Sequence, residues 1–307
     1  MKRWFVAVLL VIGLAGPAFA EKWAFTVISD NRSGDASYRN VLNEIRTQKV
    51  NPEERFPLSD FVVIGGDLDP AEESLRTFRE IFRAGKPLFV PVRGNHEQTS
   101  DVEFIIRKVL PSLGDSLKQP DRKNVNYYWD WKNTRLIILD QYSRLGKYFD
   151  GDSELKWVEK ALLTPDNIHH VFIAFHEPYL PQHPEEDPFW KLLLSRQDKV
   201  RAVFCGHTHM YRSDRFPDNP TGITYVNTGN AGQRTHSDNK QTMVEVMIDG
   251  SRVVFRVIQA PDGTSEFRLR EQWELKSVGG ERSQSDGRCF PVLVKAEGNC
   301  AGHCVVP

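Results

Sequence analysis

The stretch Val200-Arg201-Ala202-Val203-Phe204-Cys205-Gly206-His207-Thr208-His209 is a short apolar run that stops at a glycine and then presents two histidines. Six such residues read as a buried strand. The two imidazoles fall on the same side of the extended segment beyond it, an arrangement suited to chelating one or two metal ions. Working outward toward the N-terminus, similar runs recur at Trp23 to Ser29, Phe61 to Gly65, Leu88 to Val92, Leu136 to Leu139 and Val171 to Phe175. Between them lie segments of helical spacing, Tyr38 to Gln48, Glu72 to Phe82, Asp101 to Val109 and Glu154 to Leu163, the last with Leu155, Val158 and Leu162 on one face. Strand and helix alternate, which predicts an α/β layered fold. Beyond Gly206 the pattern turns to β alone, with runs at Ile223 to Asn227, Met243 to Ile248, Val253 to Ile258 and Phe267 to Leu275. Turn signals such as Asp249-Gly250 separate them, and they read as consecutive antiparallel strands.

The polar residues gather at the ends of these runs, where ligands collect in open α/β sheets. The first run ends in Ser29-Asp30-Asn31-Arg32, the second in Gly65-Gly66-Asp67-Leu68-Asp69 and the third in Arg93-Gly94-Asn95-His96-Glu97. The fifth ends in His176-Glu177-Pro178 and the sixth in Gly206-His207-Thr208-His209. Singly, an Asp after a strand is ordinarily a turn or a helix cap, and Gly-Asn-His is ordinarily a turn. Five such ends in one chain argue for a shared site.

The series resembles the calcineurin-like metallophosphoesterase family, whose pattern runs Asp-x-His, Gly-Asp, Gly-Asn-His-Asp/Glu, a lone His and Gly-His-x-His. Four of the five are intact, and the resemblance spans Asp30 to His209 with the β-rich stretch after it matching the family's second sheet. It implies a two-sheet β-sandwich flanked by helices, with two divalent metal ions at the strand ends; Mn, Fe, Zn and Ni all suit carboxylate, amide oxygen and imidazole. By the same resemblance Asp67 bridges the ions, Asn95, His176 and His207 complete one position, and Asp30 and His209 belong to the other. A bridging carboxylate holds such a pair roughly 3.5–4 Å apart, where a metal-bound hydroxide becomes available near neutral pH. His96 is not a ligand in the pattern and is assigned to leaving-group protonation. Asp69 is either an acceptor that orients such an imidazole or a cap for the helix beginning near Ala71.

The first motif departs from the family, with Arg32 where a histidine ligand is usual. Arginine stays protonated and cannot bind a cation. Three readings follow: Arg32 contacts the substrate phosphate in bidentate fashion, the first metal position is weak or empty, or a nearby side chain such as Tyr38 substitutes. Arg93 and Arg234 read as solvated loop residues, with a place in the lining of the same mouth as the alternative.

The 307 residues, 40% hydrophobic and 26% charged, suffice for one sizeable domain. With 40 Lys and Arg against 41 Asp and Glu, no global positive charge exists to hold nucleic acid. Lys2, Arg3, an apolar run from Trp4 to about Leu14 and Ala18-Phe19-Ala20 read as a cleavable export signal, so the expected location is periplasmic or secreted, with no transmembrane segment after cleavage. The domain expectation is therefore 1–20 signal peptide, 21–276 metallophosphoesterase-like domain and 277–307 linker with a short Cys-containing tail. Cys205 reads as a buried free thiol, and one bridge is expected among Cys289, Cys300 and Cys304. The functional expectation is hydrolysis of a small phosphomonoester or phosphodiester. The alternative is a non-catalytic or weakly active metal-binding sensor or scaffold with the same fold.

Overall fold

The computed structural model describes residues 22–275 apart from 32–35, 51, 53, 69, 84, 144, 145, 147, 148, 150 and 233–237. The signal at 1–20, Arg32, Asp69, Arg234 and the tail at 277–307 thus lie outside the described residues. Two sheets face each other. The first is built from β1 (Trp23–Ile28), β2 (Ser59–Ile64), β3 (Leu88–Pro91), β11 (Lys240–Asp249), β12 (Arg252–Pro261) and β13 (Arg268–Leu275), in the order β13-β12-β11-β1-β2-β3. The second runs β4-β5-β6-β7-β8-β10-β9, from β4 (Leu117–Lys118), β5 (Tyr127–Trp131), β6 (Thr134–Ile138), β7 (His170–Ala174), β8 (Val200–Cys205), β9 (Tyr211–Phe216) and β10 (Ile223–Thr228).

Period-two alternation divides each central strand of the second sheet between two cores. On β7, Phe172 and Ala174 face the space between the sheets, whereas Val171 and Ile173 face the helices outside. On β8, Ala202 and Phe204 point inward and Val203 and Cys205 outward. The inner layer is aromatic: Phe25 stacks on Phe61 at 4.8 Å and meets Phe172 edge-on at 5.0 Å. Helices α1 (Ala36–Thr47) and α2 (Ala71–Phe82) bury Tyr38, Val41, Leu42 and Ile45, and Ala71, Ser74, Leu75 and Phe78, both at helical spacing, against the first sheet. The short α3 (Thr99–Phe104) follows β3, and its Asp101 takes the Ala71 N–H at 2.8 Å, so α2 receives its cap from a neighbouring helix. Helices α4 (Asp152–Leu162) and α5 (Pro188–Leu194) cover the second sheet with Val158, Leu162, Phe189 and Trp190. Cys205 is a buried free thiol, as expected, with burial first among the causes that push its pKa up to about 12.

The strands after Gly206 do not make a sheet by themselves. β10 joins β8 in parallel and β9 antiparallel, while β11 crosses over to pair antiparallel with β1 and continues into β12 and β13. The antiparallel run expected from sequence therefore holds for β11 to β13 only. Among the described residues no helix is long and apolar enough to cross a membrane.

At the start of β7, His170 is fully buried, and burial is the main cause that lowers its pKa from 6.5 to about 4. It folds neutral, whereas the unfolded chain takes up a proton below about pH 6.5. The stability from keeping it neutral is present above pH 6.5 and is lost as pH falls toward 4, by about 3 kcal/mol. Urea midpoints measured from pH 7 to 4.5 are expected to fall less steeply in His170→Gln than in the parent chain; equal slopes would contradict this assignment.

Candidate metal centre

Three ligand-type side chains leave the first sheet, Asp30 after β1, Asp67 after β2 and Asn95 after β3, and three leave the second, His176 after β7 and His207 and His209 after β8. They converge at the carboxyl ends of the parallel strands. Asn95 Oδ1 lies 3.1 Å from His176 Nε2 and 3.0 Å from His207 Nδ1, and His176 Nε2 lies 3.3 Å from Asp67 Oδ1. His209 Nε2 faces Asp30 Oδ1 at 3.3 Å. Asp30, Asp67 and His209 each offer a ligand atom within 4.8 Å of the others. All six sequence-predicted ligands are thus brought together. His96 stands beside them, its Nε2 3.8 Å from Asp67 Oδ2 and its side chain 40% exposed.

The backbone is bent to achieve this. Asp30, Asp67, His207 and His209 adopt φ of 55°, 56°, 69° and 57°, a left-handed conformation that costs non-glycine residues energy and persists only where surroundings enforce it. The enforcement is visible. The His207 N–H donates to Asp30 Oδ2 at 2.9 Å and the His96 N–H to Asp67 Oδ1 at 3.2 Å. Asn227 Nδ2 donates to the Gly206 carbonyl at 2.9 Å and to Thr208 Oγ1 at 2.8 Å. Gly206 passes so near the first strand that a Cβ there would meet Ser29 Oγ at 1.8 Å, and one on Gly94 would meet Asp67 Oδ1 at 2.3 Å. Only glycine admits these approaches.

The residues fit a cation. Asp30, Asp67 and Glu97 are carboxyl groups only 0%, 2% and 4% exposed. Among the described residues Asp30 and Asp67 pair with no Lys or Arg, only with imidazoles. Asp30 Oδ1 accepts no well-formed hydrogen bond although it is buried, which leaves a lone pair aimed into the cluster. Burial opposes the charge on Asp30, but His209, His176 and Ser29 outweigh it and hold the carboxyl below its ordinary range. Burial likewise opposes the charge on His176, and Asp30, Asp67 and the Gly65 carbonyl overcome it and raise its pKa. Negative charge at this point is being answered by a proton, a place that a metal ion can take.

Several supporting residues escaped the sequence reading. Glu97 accepts the N–H of Asp67 at 3.1 Å, of Leu68 at 2.7 Å and of Gly94, so one carboxylate ties the second motif to the third. Burial is the first cause that pushes its pKa up to about 7. Gln141 donates to the Glu177 carbonyl at 2.9 Å and accepts the Glu177 N–H at 2.7 Å, which fixes the backbone beside His176. Arg93 is not a solvated loop residue: it pairs with buried Asp140 at 3.4 Å and lies over the Tyr142 ring at 5.3 Å. Asp140 and Gln141 follow β6, the one central strand whose end had carried no assignment. Tyr38, a candidate substitute ligand, is buried with its hydroxyl against Ser74 of α2, and burial raises its pKa, opposing the phenolate that a metal requires.

A two-sheet sandwich with Asp, Asn and His converging at its strand ends defines a candidate metal-binding architecture. A family model described as calcineurin-like phosphoesterase matches residues 24–211, and the chain belongs to that family. Its fold is also similar to that of several solved structures. A phosphatase from Mycoplasma pneumoniae is 16% identical with a TM-score of 0.46, over 80% of this chain and 96% of that one. A conserved predicted phosphoesterase from Streptococcus pneumoniae TIGR4 is 14% identical with a TM-score of 0.39, over 83% and 97%. Vps29 from Entamoeba histolytica complexed with zinc is 14% identical with a TM-score of 0.42, over 82% and 99%. No curated protein sequence matches the chain.

Proposed function

We propose that the protein hydrolyses a small phosphomonoester or phosphodiester at two divalent metal ions, in an extracytoplasmic compartment. The observation that supports this reading is the convergence of six ligand-type side chains at the strand ends, Asn95 Oδ1 with His176 and His207 in one group and Asp30 with Asp67 and His209 in the other. Asp67 lies between the two groups and is the natural bridge. Asn95, His176 and His207 would hold one ion with it, and Asp30 and His209 would hold the other. Bound there, a metal pair lowers the pKa of a shared water and neutralises charge on the phosphoryl oxygens.

The remaining work falls to the chain. His96, half exposed at the mouth, protonates the leaving-group oxygen from its imidazole. Glu97 holds the loop that carries Asn95 and His96 against Asp67. Arg32 supplies positive charge toward the substrate phosphate in place of the missing histidine. Export rests on the sequence of residues 1–20.

The test is elemental analysis beside a panel of chromogenic phosphate esters, with mature protein loaded with Mn or Zn. Turnover together with more than one metal ion per chain supports the reading. Sub-stoichiometric metal with no turnover across the panel would replace it with a sensor or scaffold. For Arg32, Arg32→His is expected to raise metal content per chain while weakening substrate binding, seen as a higher KM. Unchanged metal content would show that Arg32 does not stand where a ligand belongs.

A further inference from the structure

The metal ligands occupy the carboxyl ends of the parallel strands, and the opposite ends carry a separate cleft of about 590 Å³. It is walled by the starts of β1, β7 and β8 and by the turns joining β5 to β6 and β11 to β12. Six residue steps of about 3.3 Å separate Arg201 in this cleft from His207, so the two places stand on the order of 20 Å apart. Three cations line it, Lys132, Lys199 and Arg201, against one carboxylate, Asp198.

Arg201 carries the argument. The residue is 8% exposed, its Nε donates to His170 Nδ1 at 3.1 Å, and its Nη2 donates to the His169 carbonyl at 3.4 Å. Among the described residues it forms no ion pair and no other hydrogen bond. The two other buried arginines differ, since Arg135 pairs with Asp130 at 2.7 Å and Arg256 with Glu245 at 3.3 Å. The imidazole that faces Arg201 brings no negative charge. His170 Nδ1 accepts from the guanidinium, so its Nε2 carries the hydrogen and donates to the Gly250 carbonyl at 2.8 Å. A guanidinium cannot shed its proton to escape burial; Asp198 acts on its charge through space but makes no direct ion pair with it, so the cost of burial is only partly offset. Lys132 pairs with Asp60 at 2.8 Å, a carboxylate that also takes Lys86 at 2.7 Å, and Lys199 donates to Thr164 Oγ1 at 2.9 Å.

We propose that this cleft is a second ligand site, distinct from the metal centre, that takes an oxyanion of the phosphate class. Arg201 supplies the charge and the N–H groups that no acceptor among the described residues takes, and Lys199 closes around the ligand's remaining oxygens, with Lys132 adding charge to the same wall. The assignment stands whether or not the metal centre hydrolyses esters. The oxyanion is either a free phosphate compound or the headgroup of an anionic lipid.

Isothermal titration of the mature, metal-loaded chain with inorganic phosphate and with glycerol 3-phosphate, at fixed ionic strength, tests the free ligand. Co-sedimentation with phosphatidylglycerol vesicles, against phosphatidylcholine vesicles as control, tests the lipid. Arg201→Gln and Lys199→Gln are compared with Asn95→Ala, which alters only the metal pole. Binding weakened about tenfold or more by Arg201→Gln, and severalfold by Lys199→Gln, but retained in Asn95→Ala, is the expected result. The lysine variant leaves the buried guanidinium in place and guards against a folding defect. Which probe behaves this way names the source. If no probe binds saturably, or if binding is the same in both cleft variants as in the parent, the cleft is not an anion site.

Discussion

Asn95→Ala and His207→Ala are each expected to remove metal-dependent ester hydrolysis, by more than about a hundredfold, since loss even of a residue that only supports a metal ligand costs about 10–100-fold. The expectation follows from geometry. Asn95 Oδ1 is the oxygen between two imidazole nitrogens, 3.1 Å from His176 Nε2 and 3.0 Å from His207 Nδ1. Removing either side chain leaves that position with too few donors to hold an ion. The fold should be indifferent, because Asn95 is exposed and His207 partly so. Metal-free unfolding free energies from urea denaturation are therefore expected within about 0.5 kcal/mol of the parent, and only metal content and turnover should collapse. Parent-like turnover in both variants would end the proposed mechanism.

Glu97→Ala is expected to act on the fold as well as on the chemistry. It removes the acceptor for three backbone N–H groups, those of Gly94, Asp67 and Leu68. Each donor left buried without a partner costs about 1–3 kcal/mol, so a loss of about 3 kcal/mol or more is expected even if some water enters. That is a large part of the roughly 5–15 kcal/mol that stabilises an ordinary domain. Metal content should fall together with stability, because the same carboxylate aligns Asp67 with the Asn95 loop. Chemical denaturation without metal, followed by elemental analysis after reloading, checks both. A midpoint and a metal content equal to the parent's would mean that the carboxylate supports neither.

The placement of the candidate metal centre was legible in sequence because it is local: each proposed ligand sits within four residues of the end of a strand whose apolar run is plain. What supports the ligands was less legible. Glu97 reads as the last letter of Gly94-Asn95-His96-Glu97, yet its partners Asp67 and Leu68 lie about thirty positions away. Asp140 and Gln141 carry no motif, and their value depends on Arg93 and Glu177 arriving from other strands. Among the strands, the two-residue β4 was not expected, nor were two longer ones, β5 and β9. The first, Tyr-Tyr-Trp-Asp-Trp from Tyr127, has neither a plain apolar run nor strict alternation, and the second, from Tyr211 to Phe216, is a polar edge strand that among the described residues pairs with β10 alone. The division of the late strands between two sheets is set by which partner is vacant, a property that local pattern does not encode.

The equal division of the ligands, three from each sheet, has a consequence for how the centre is tuned. Phe25, Phe61 and Phe172 fill the space between the layers and so act as a spacer gauge: their thickness sets how far Asp30, Asp67 and Asn95 stand from His176, His207 and His209. Interiors packed as closely as crystals transmit small changes of volume. A thicker or thinner side chain deep in the sandwich would then be a calliper adjustment on the distances between the candidate ligands, and any choice of metal would become partly a property of the hydrophobic core.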